Sequence, residues 1–308
     1  MKKKLILLIL VHITSFSQVK KIKNFKVTIL STMLSDSYIG EWGFSAIIEV
    51  DDQRILFDTG SRENTVLQNA NELNIDLNNI KNVFLSHNHK DHTGGLINLR
   101  NKYPNSFAEA HVGEGIFYSR PSPIGKEHYI LNNKEIIQNI GVKFISHSKP
   151  SQIIPGVWTT GKVPRIYDEK NWSKLGKMLD PIVGEVEDVI PEDQSLFFDT
   201  ENGIVLISGC GHAGLANTLE YIKTIIPDRP IYKILGGFHL LKLDKEKLKW
   251  TAGKMKDAGV KYFVGAHCTG INSTYAIRNF MNLSSNNVLV GSVGTYINNY
   301  GIFPGYME

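Results

Sequence analysis

The most informative stretch of the sequence runs from Ser86 to Gly95 and reads SHNHKDHTGG. It places His87, His89, Asp91 and His92 within six positions, immediately after the short apolar run 82–85. Imidazole nitrogens and carboxylate oxygens are side-chain groups that bind divalent metal ions. This density of ligands exceeds what chance placement provides, so the stretch indicates a metal site.

The spacing of these side chains predicts two neighbouring ions. In extended backbone, His87 and His89 project from the same side of the chain and can bind one ion together. Asp91 and His92 follow round the next turn and reach a second ion. The hard oxygen and the borderline nitrogens suit zinc and also manganese or iron. A solvated polar loop is the alternative, but clustered imidazoles beside a carboxylate need a shared partner.

Patterns typical of strands and helices alternate on both sides of this stretch. The predicted strands are Phe25–Leu30, Phe44–Val50, Arg54–Asp58, Asn82–Leu85, Gly203–Ser208, Tyr232–Leu235, Lys261–Val264 and Asn287–Val290. The predicted helices are Thr65–Leu73, Leu96–Tyr103, Leu215–Ile226, Lys245–Ala258 and Ser273–Met281. Two stretches, 113–133 and 165–191, lack periodicity and are expected to be irregular loops that act as lids or binding walls. The order favours one α/β domain, an αββα sandwich with helices outside two central sheets, over an ordinary doubly wound sheet.

The N-terminus is typical of a secretory signal peptide. Three lysines at positions 2–4 precede the apolar run 5–13, and small residues follow at Ser15 and Ser17. This order predicts cleavage after Ser17, which leaves residues 18–308 as the single domain. The apolar run is shorter than the roughly 20 residues that span a bilayer. We therefore expect a periplasmic or secreted protein without stable membrane insertion after cleavage, although an uncleaved anchor or a buried first strand would also account for the run.

Composition excludes several classes of protein. Hydrophobic residues make up 42% of the 308 positions and charged residues 21%, which is ordinary for a globular protein. The 34 basic and 30 acidic residues give a net charge of +4, but three lysines belong to the predicted leader, so residues 18–308 carry about +1. No basic surface for nucleic acid is therefore expected. Two cysteines, Cys210 and Cys268, do not make a disulfide scaffold.

The central stretch resembles the His-x-His-x-Asp-His signature of the metallo-β-lactamase superfamily. Later motifs agree in order, and further segments resemble the branch whose archaeal members are called dihydropterin ribofuranosylaminobenzene phosphate synthases. The segments that carry both resemblances are Leu56–Gly60, Glu41–Ser45, Thr160–Arg165, Glu192–Gln194, Ile207–Gly214, Gly236–Leu240 and Gly265–Gly270. The sequence departs from the superfamily pattern at one place. Many members have a Pro-Gly-His-Thr-type segment where this chain has Thr160-Gly161 and no histidine, so the identity of the ligands beyond the first motif is left open.

The resemblance implies a ligand set and supporting residues. His87, His89 and His212 would bind one ion, and Asp91, His92 and His267 the other. Asp58 would support the metal loop from behind. The near-site residues Cys210 and Cys268 should be neighbours, and both a Cys210 thiolate ligand and a Cys210–Cys268 disulfide are possible there. His239 could be a ligand, a proton donor or a substrate contact. The candidate site thus comprises His87, His89, Asp91, His92, His212, His239, His267, Asp58, Cys210 and Cys268.

The expected cofactors are two divalent ions, with zinc as the first choice. A site of this kind predicts a hydrolase. A metal-bridged hydroxide would attack an ester, lactone, amide or phosphodiester bond, with Asp91 and His239 as catalytic residues. A small-molecule substrate, anionic or aromatic, is expected. Arg165 could bind its anionic group, and Trp158, Tyr167 and Trp172 could form an aromatic wall, although core packing explains these rings equally well. The alternatives are a mononuclear iron oxidoreductase acting on a thiol-type substrate and a non-catalytic ligand-binding relative.

Three further histidines receive structural interpretations. His111 stands at a strand end and could approach the site, whereas His128 and His147 are expected in surface or loop positions.

Overall fold

A computed structural model describes residues 20–121, 128–169 and 176–305. The predicted signal peptide and Trp172 lie outside these residues. Within the described ranges, no helix combines the length and the hydrophobicity needed to cross a membrane.

The described part of the chain contains seventeen strands and eight α-helices. The strands are β1 Phe25–Ser31, β2 Ser45–Val50, β3 Gln53–Phe57, β4 Asn82–Phe84, β5 Glu109–Gly113, β6 Lys143–His147, β7 Ser151–Ile154, β8 Val157–Thr159, β9 Lys177–Asp180, β10 Gly184–Glu187, β11 Leu196–Thr200, β12 Gly203–Ser208, β13 Ile231–Gly236, β14 Tyr262–Gly265, β15 Val288–Val290, β16 Tyr296–Asn298 and β17 Ile302–Phe303. The helices are α1 Thr65–Glu72, α2 Lys90–Thr93, α3 Leu96–Lys102, α4 Tyr129–Asn132, α5 Lys134–Asn139, α6 Leu215–Ile225, α7 Lys245–Ala258 and α8 Ile271–Met281.

Two mixed sheets form the centre of the molecule. The first has the strand order β17-β16-β1-β2-β3-β4-β5-β6, and the second has the order β15-β14-β13-β12-β11-β8-β7. Strands β3 to β6 are parallel to one another, as are β12 to β15, whereas the remaining pairs in both sheets are antiparallel. Parallel strands bring their carboxyl ends to one edge, and each sheet therefore has one edge at which several loops begin.

Alternating side chains explain how the sheets are layered. Val205 and Ile207 of β12 join the core between the two sheets, whereas Ile204 and Leu206 pack beneath α6, α7 and α8. A third apolar cluster joins the first sheet to helices α1, α3 and α5. Because every residue of β12 is buried, the strand is apolar throughout rather than amphipathic. The predicted αββα sandwich is confirmed.

Several short strands lie where the sequence predicted none. The segment 165–191, expected to be irregular, contains the hairpin β9–β10, whose turn exposes Ile182 and Val183. The edge strands β6 and β7 were also not predicted from the sequence. Their side chains are partly exposed, so they lack the apolar run that identifies β12.

A histidine pair lies on β5 and β6, with His111 buried and His147 partly exposed. His111 Nδ1 is 2.9 Å from His147 Nε2, and His111 Nε2 is 2.9 Å from Asn82 Oδ1. Burial, with a further contribution from His147, lowers the pKa of His111 to about 4. His147 was expected in a surface or loop position; it ends the edge strand β6, where it is partly exposed and pairs with His111.

This pair predicts a loss of stability in acid. The folded protein binds fewer protons at His111 than the unfolded chain does, so the free energy of unfolding should fall as the pH drops from about 6.5 towards 4. Replacing His111 with glutamine should remove about 2 kcal/mol of the difference in unfolding free energy between pH 7 and pH 4.5. Urea unfolding of both proteins at the two pH values measures this difference. Equal pH dependence in the two proteins would contradict the prediction.

Candidate metal centre

The predicted site residues follow the carboxyl ends of parallel strands in both sheets. Asp58 follows β3, and the loop that begins at Ser86 follows β4. On the second sheet, His212 follows β12, His239 follows β13 and His267 follows β14. The sandwich therefore brings residues more than 100 positions apart to one edge of the molecule.

His87, His89 and His212 form the first group of converging side chains. One ring nitrogen from each lies within 4.8 Å of the others. The ring centroids are 4.5 Å apart for His87 and His89, 4.7 Å for His87 and His212, and 5.0 Å for His89 and His212. This grouping is the one that the resemblance implied for the first ion, and three imidazoles are a suitable donor set for zinc.

Asp91, His92 and His267 form the second group, also within 4.8 Å of one another. His267 Nε2 lies 3.3 Å from Asp91 Oδ2, and His92 Nε2 lies 3.9 Å from the same oxygen. The rings of His87 and His92 are 4.2 Å apart, so the two groups adjoin. The geometry accommodates two neighbouring ions. The assignment of these six side chains as ligands stays a prediction.

Asp58 lies behind the metal loop, where the sequence placed it. Its carboxylate is fully buried and accepts hydrogen bonds from the Ser86 backbone N–H and from Ser86 Oγ, both at 2.7 Å. Asp58 Oδ2 also lies 2.6 Å from His92 Nδ1. An acceptor at this position puts the proton of a neutral His92 on Nδ1, which leaves Nε2 available for a metal ion.

The electrostatics of His87, His89 and Asp91 suit metal ligation. Burial lowers the pKa of His87 well below its ordinary value and lowers that of His89 to about 4, so both imidazoles are neutral at pH 7. Burial raises the pKa of Asp91, but the surrounding histidines outweigh it and hold this pKa below its usual range. Metal ligands must be deprotonated in this way.

One buried atom tests directly whether a cation fits. His87 Nε2 is buried and has no hydrogen-bond partner among the residues that the structure describes. A buried polar atom without a partner costs about 1–3 kcal/mol. A divalent ion bound by His87, His89 and His212 would satisfy it, so the residues present fit the metal that the fold implies.

The cysteines are neighbours, as predicted, and both are buried free thiols. Their sulfur atoms are 3.4 Å apart, and Cys210 Sγ lies 3.2 Å from His92 Nε2. The backbone N–H of His239 donates to Cys268 Sγ at 3.3 Å. A Cβ at Gly237 would lie 2.9 Å from that sulfur, so only glycine leaves room for it. Cys210 therefore adjoins the second group, and whether it ligates stays open.

Arg165 contacts backbone around the first group. Its Nη1 donates to the carbonyl of His212 at 2.6 Å, and its Nη2 donates to the carbonyls of Val189 and Ile190 at 2.6 and 3.3 Å. These bonds engage both terminal nitrogens, and we assign Arg165 to the support of the His212 loop. The substrate contact predicted for it stays a prediction that these bonds do not favour.

Sequence reasoning assigned no role to Asp193, which lies beside the first group. Its buried carboxylate accepts a hydrogen bond from the backbone N–H of Ala213 at 2.8 Å, directly beside His212. Burial raises the pKa of Asp193 to about 6. The signal available in the sequence was an acidic pair, Glu192-Asp193, placed immediately before the buried strand β11.

Two aromatic residues also lie where the sequence did not place them. The ring of Trp42 packs 4.8 Å from that of His267, and the ring of His128 stacks 6.2 Å from that of His89. Two of the residues proposed for an aromatic wall, Trp158 and Tyr167, pack elsewhere. Trp158 joins the core beneath the second layer of helices, and Tyr167 packs edge-on against Trp250 of α7.

Known proteins are similar to this chain in sequence and in fold. Residues 43–145 match the family model of the metallo-beta-lactamase superfamily. The chain is 30% identical over 275 residues to a 7,8-dihydropterin-6-methyl-4-(beta-D-ribofuranosyl)-aminobenzene-5'-phosphate synthase of Methanocaldococcus jannaschii, which covers 82% of this chain and 90% of that protein. An uncharacterized protein of the same organism is 29% identical over 266 residues, covering 84% of this chain and 94% of its own length.

A solved structure agrees in fold. The crystal structure of a metal-dependent hydrolase of the beta-lactamase superfamily superimposes with a TM-score of 0.72 at 23% identity, covering 89% of this chain and 98% of that one. The fold implies divalent metal binding, and the names in this superfamily indicate an enzyme. With its two sheets, its His-x-His-x-Asp-His loop and its match to the synthase over most of both chains, this protein belongs to the metallo-β-lactamase superfamily.

Proposed function

We propose that this protein is a metal-dependent hydrolase that cleaves an ester, lactone, amide or phosphodiester bond of a small molecule with two divalent ions. The observation that carries the proposal is the pair of adjoining ligand groups. His87, His89 and His212 would hold one ion, and Asp91, His92 and His267 the other. When bound, such ions polarise a carbonyl or phosphoryl oxygen and lower the pKa of water towards neutrality.

Asp91 is the residue best placed to orient the attacking water. Its pKa is held below the usual range, so the carboxylate is an anion over the whole working range of pH. Its side chain is one-fifth exposed, whereas those of His92 and His267 are fully buried. An anionic oxygen at the accessible side of the group can accept a hydrogen bond from water and fix its direction of approach.

His239 is the candidate proton donor to the leaving group. Its ring lies 4.6 Å from that of His212 and is partly exposed. The backbone of His239 has a φ of +51°, a left-handed conformation that a histidine rarely adopts, and Asp58 and His267 have φ values of +51° and +46°. Strained backbone of this kind concentrates at active sites. A His239→Ala variant is expected to lose more rate with poor leaving groups than with good ones.

Three competing functions use the same site differently. The first is a synthase reaction that forms a phosphate-bearing product, as the name of the relative from Methanocaldococcus jannaschii states, rather than a hydrolysis. The second is the oxidation of a thiol-type substrate by a single iron, and the third is ligand binding without catalysis. For each of these functions, the protein is proposed to act in the periplasm or outside the cell, as its N-terminal pattern predicts.

Metal analysis of the purified mature protein separates these candidates. A ratio of about two zinc or manganese ions per chain supports the hydrolase, as expected for a two-metal site. A ratio of one iron per chain, with oxygen uptake in the presence of thiols, would favour the oxidoreductase. A zinc-loaded protein that cleaves none of a set of nitrophenyl esters, lactones, anilides and phosphodiesters would contradict the proposal.

Chelation provides a readout that does not depend on the substrate. An ion present at about 100 times its dissociation constant stabilises the folded state by about 2.7 kcal/mol. At about 2–4 °C per kcal/mol, removing it should lower Tm by about 5–10 °C. Thermal unfolding with and without excess chelator measures the shift, and restored zinc should reverse it. An unchanged Tm would show that these side chains do not hold a stabilising ion.

A further inference from the structure

Four large apolar side chains are exposed around the turn that carries His267. Trp42 is 50% exposed, Leu241 47%, Ile271 42% and Tyr275 52%. We refer to these four residues as the apolar rim. Groups of exposed apolar side chains on a soluble protein commonly mark a surface that binds something.

The apolar rim is continuous with the candidate metal centre. The indole of Trp42 packs 4.8 Å from the ring of His267, a predicted ligand. Leu241 donates its backbone N–H to the carbonyl of Cys268, and a Cβ at Gly270 would lie 2.6 Å from Leu241 Cδ1. Ile271 and Tyr275 stand one turn apart on the first part of α8, which begins directly after Gly270. All four residues therefore lie in or beside the segment 267–275.

Trp42 is held in place by the residues on either side of it. The buried carboxylate of Glu41 accepts hydrogen bonds from Ser31 Oγ at 2.7 Å, from the backbone N–H of Ser61 at 2.8 Å and from Thr65 Oγ1 at 3.0 Å. Two positions after Trp42, the backbone N–H of Phe44 donates to the carbonyl of Asp91 at 3.0 Å. An exposed aromatic side chain on an anchored backbone is preorganised for binding.

The chemistry of the two adjoining surfaces differs. The metal centre presents imidazoles and a carboxylate, and it suits only a polar group such as an ester or a phosphoryl group. The apolar rim offers dispersion contacts and apolar area to whatever lies beside that group. A ligand that covers both surfaces must therefore be amphiphilic.

We infer that the apolar rim binds an apolar substituent attached to the scissile group of the substrate, with Trp42 as the specificity-determining residue. This inference rests on the proposed function and names its substrate class: a small molecule with a hydrolysable polar group beside a bulky apolar group. The substituent displaces water from Trp42 and Leu241 while the polar group reaches the metal centre.

The test compares binding of 2-naphthyl phosphate and methyl phosphate to the zinc-loaded protein by calorimetry, so it needs no turnover. The wild type should bind the naphthyl compound about tenfold more tightly, as burial of half an aromatic side chain allows. Trp42→Ala should abolish this preference, so that the two compounds bind with similar affinity, and Trp42→Phe should retain most of it. Trp250→Ala is the matched control, because Trp250 is 40% exposed but packs on Tyr167 of another surface.

Three outcomes would overturn the inference. The wild type could show no preference for the naphthyl compound, or Trp250→Ala could lose the preference as fully as Trp42→Ala. As a third outcome, the wild type could show no naphthyl preference but sediment with phosphatidylcholine vesicles, and Trp42→Ala could fail to do so. The apolar rim would then be a membrane contact. Failure of the proposed function is distinct, since a protein that cleaves no bond can still show the binding preference.

Discussion

Replacing His89 with alanine should lower kcat/KM by at least about a thousandfold, which corresponds to about 4 kcal/mol of transition-state stabilisation. His89 contributes one of three imidazoles in the first ligand group, and its ring lies 5.0 Å from that of His212. Two imidazoles hold an ion far more weakly than three. The metal content of the variant should therefore fall from about two ions per chain to about one.

His147→Ala is the matched control for this variant. It removes the imidazole on β6 that pairs with His111 and not one of a ligand group, so the metal content should be unchanged. Circular dichroism would establish that both variants fold. A His89→Ala protein that keeps both ions and full activity would show that His89 is no ligand. Loss of metal with undiminished binding of small molecules would favour a non-catalytic binding protein.

The first motif could be predicted from the sequence because its ligands are close together in the chain. His87, His89, Asp91 and His92 need only one turn of backbone to converge, and their spacing therefore carries the geometry. The αββα layers could likewise be predicted, since strands such as β12 are apolar throughout and the longer helices have clear periodicity. The edge strands β6 and β7 could not, because partly exposed strands have mixed sequences, and the buried strands β5 and β11 were not predicted either.

Contacts between distant segments were harder to predict. The 3.2 Å approach of Cys210 Sγ to His92 Nε2 depends on how β12 faces β4, which no local pattern encodes. Arg165 illustrates the same limit. Its residue type indicated an anion site, but three backbone carbonyls surround it in the fold. A guanidinium suits either partner, and only the tertiary structure distinguishes them.

Replacing Asp58 with asparagine should destabilise the protein by about 3–5 kcal/mol, because the change removes one partner of a buried, hydrogen-bonded pair. Asp58 receives hydrogen bonds from Ser86 N–H and Ser86 Oγ and also contacts His92 Nδ1. Burial lowers the pKa of His92, but Asp58 and Asp91 outweigh it and raise this pKa to about 9. The carboxylate thus stabilises a proton on His92 that an amide would not. Urea unfolding of the metal-free protein measures the loss.

The same substitution should weaken zinc binding by about 10–100-fold, since Asp58 fixes the ring that presents Nε2 to the second ion. Ser86→Ala provides a graded comparison, because it keeps the carboxylate and deletes the contacts of Ser86 Oγ with Asp58 Oδ2 at 2.7 Å and with His87 Nδ1 at 2.9 Å. This variant should cost about 1–2 kcal/mol. Asp199→Asn is the control, a buried carboxylate that pairs with Arg229 rather than with a histidine. It should reduce stability while leaving zinc affinity unchanged. If Asp58→Asn and Asp199→Asn altered stability and zinc affinity alike, Asp58 would be a core residue and not the support of the metal loop.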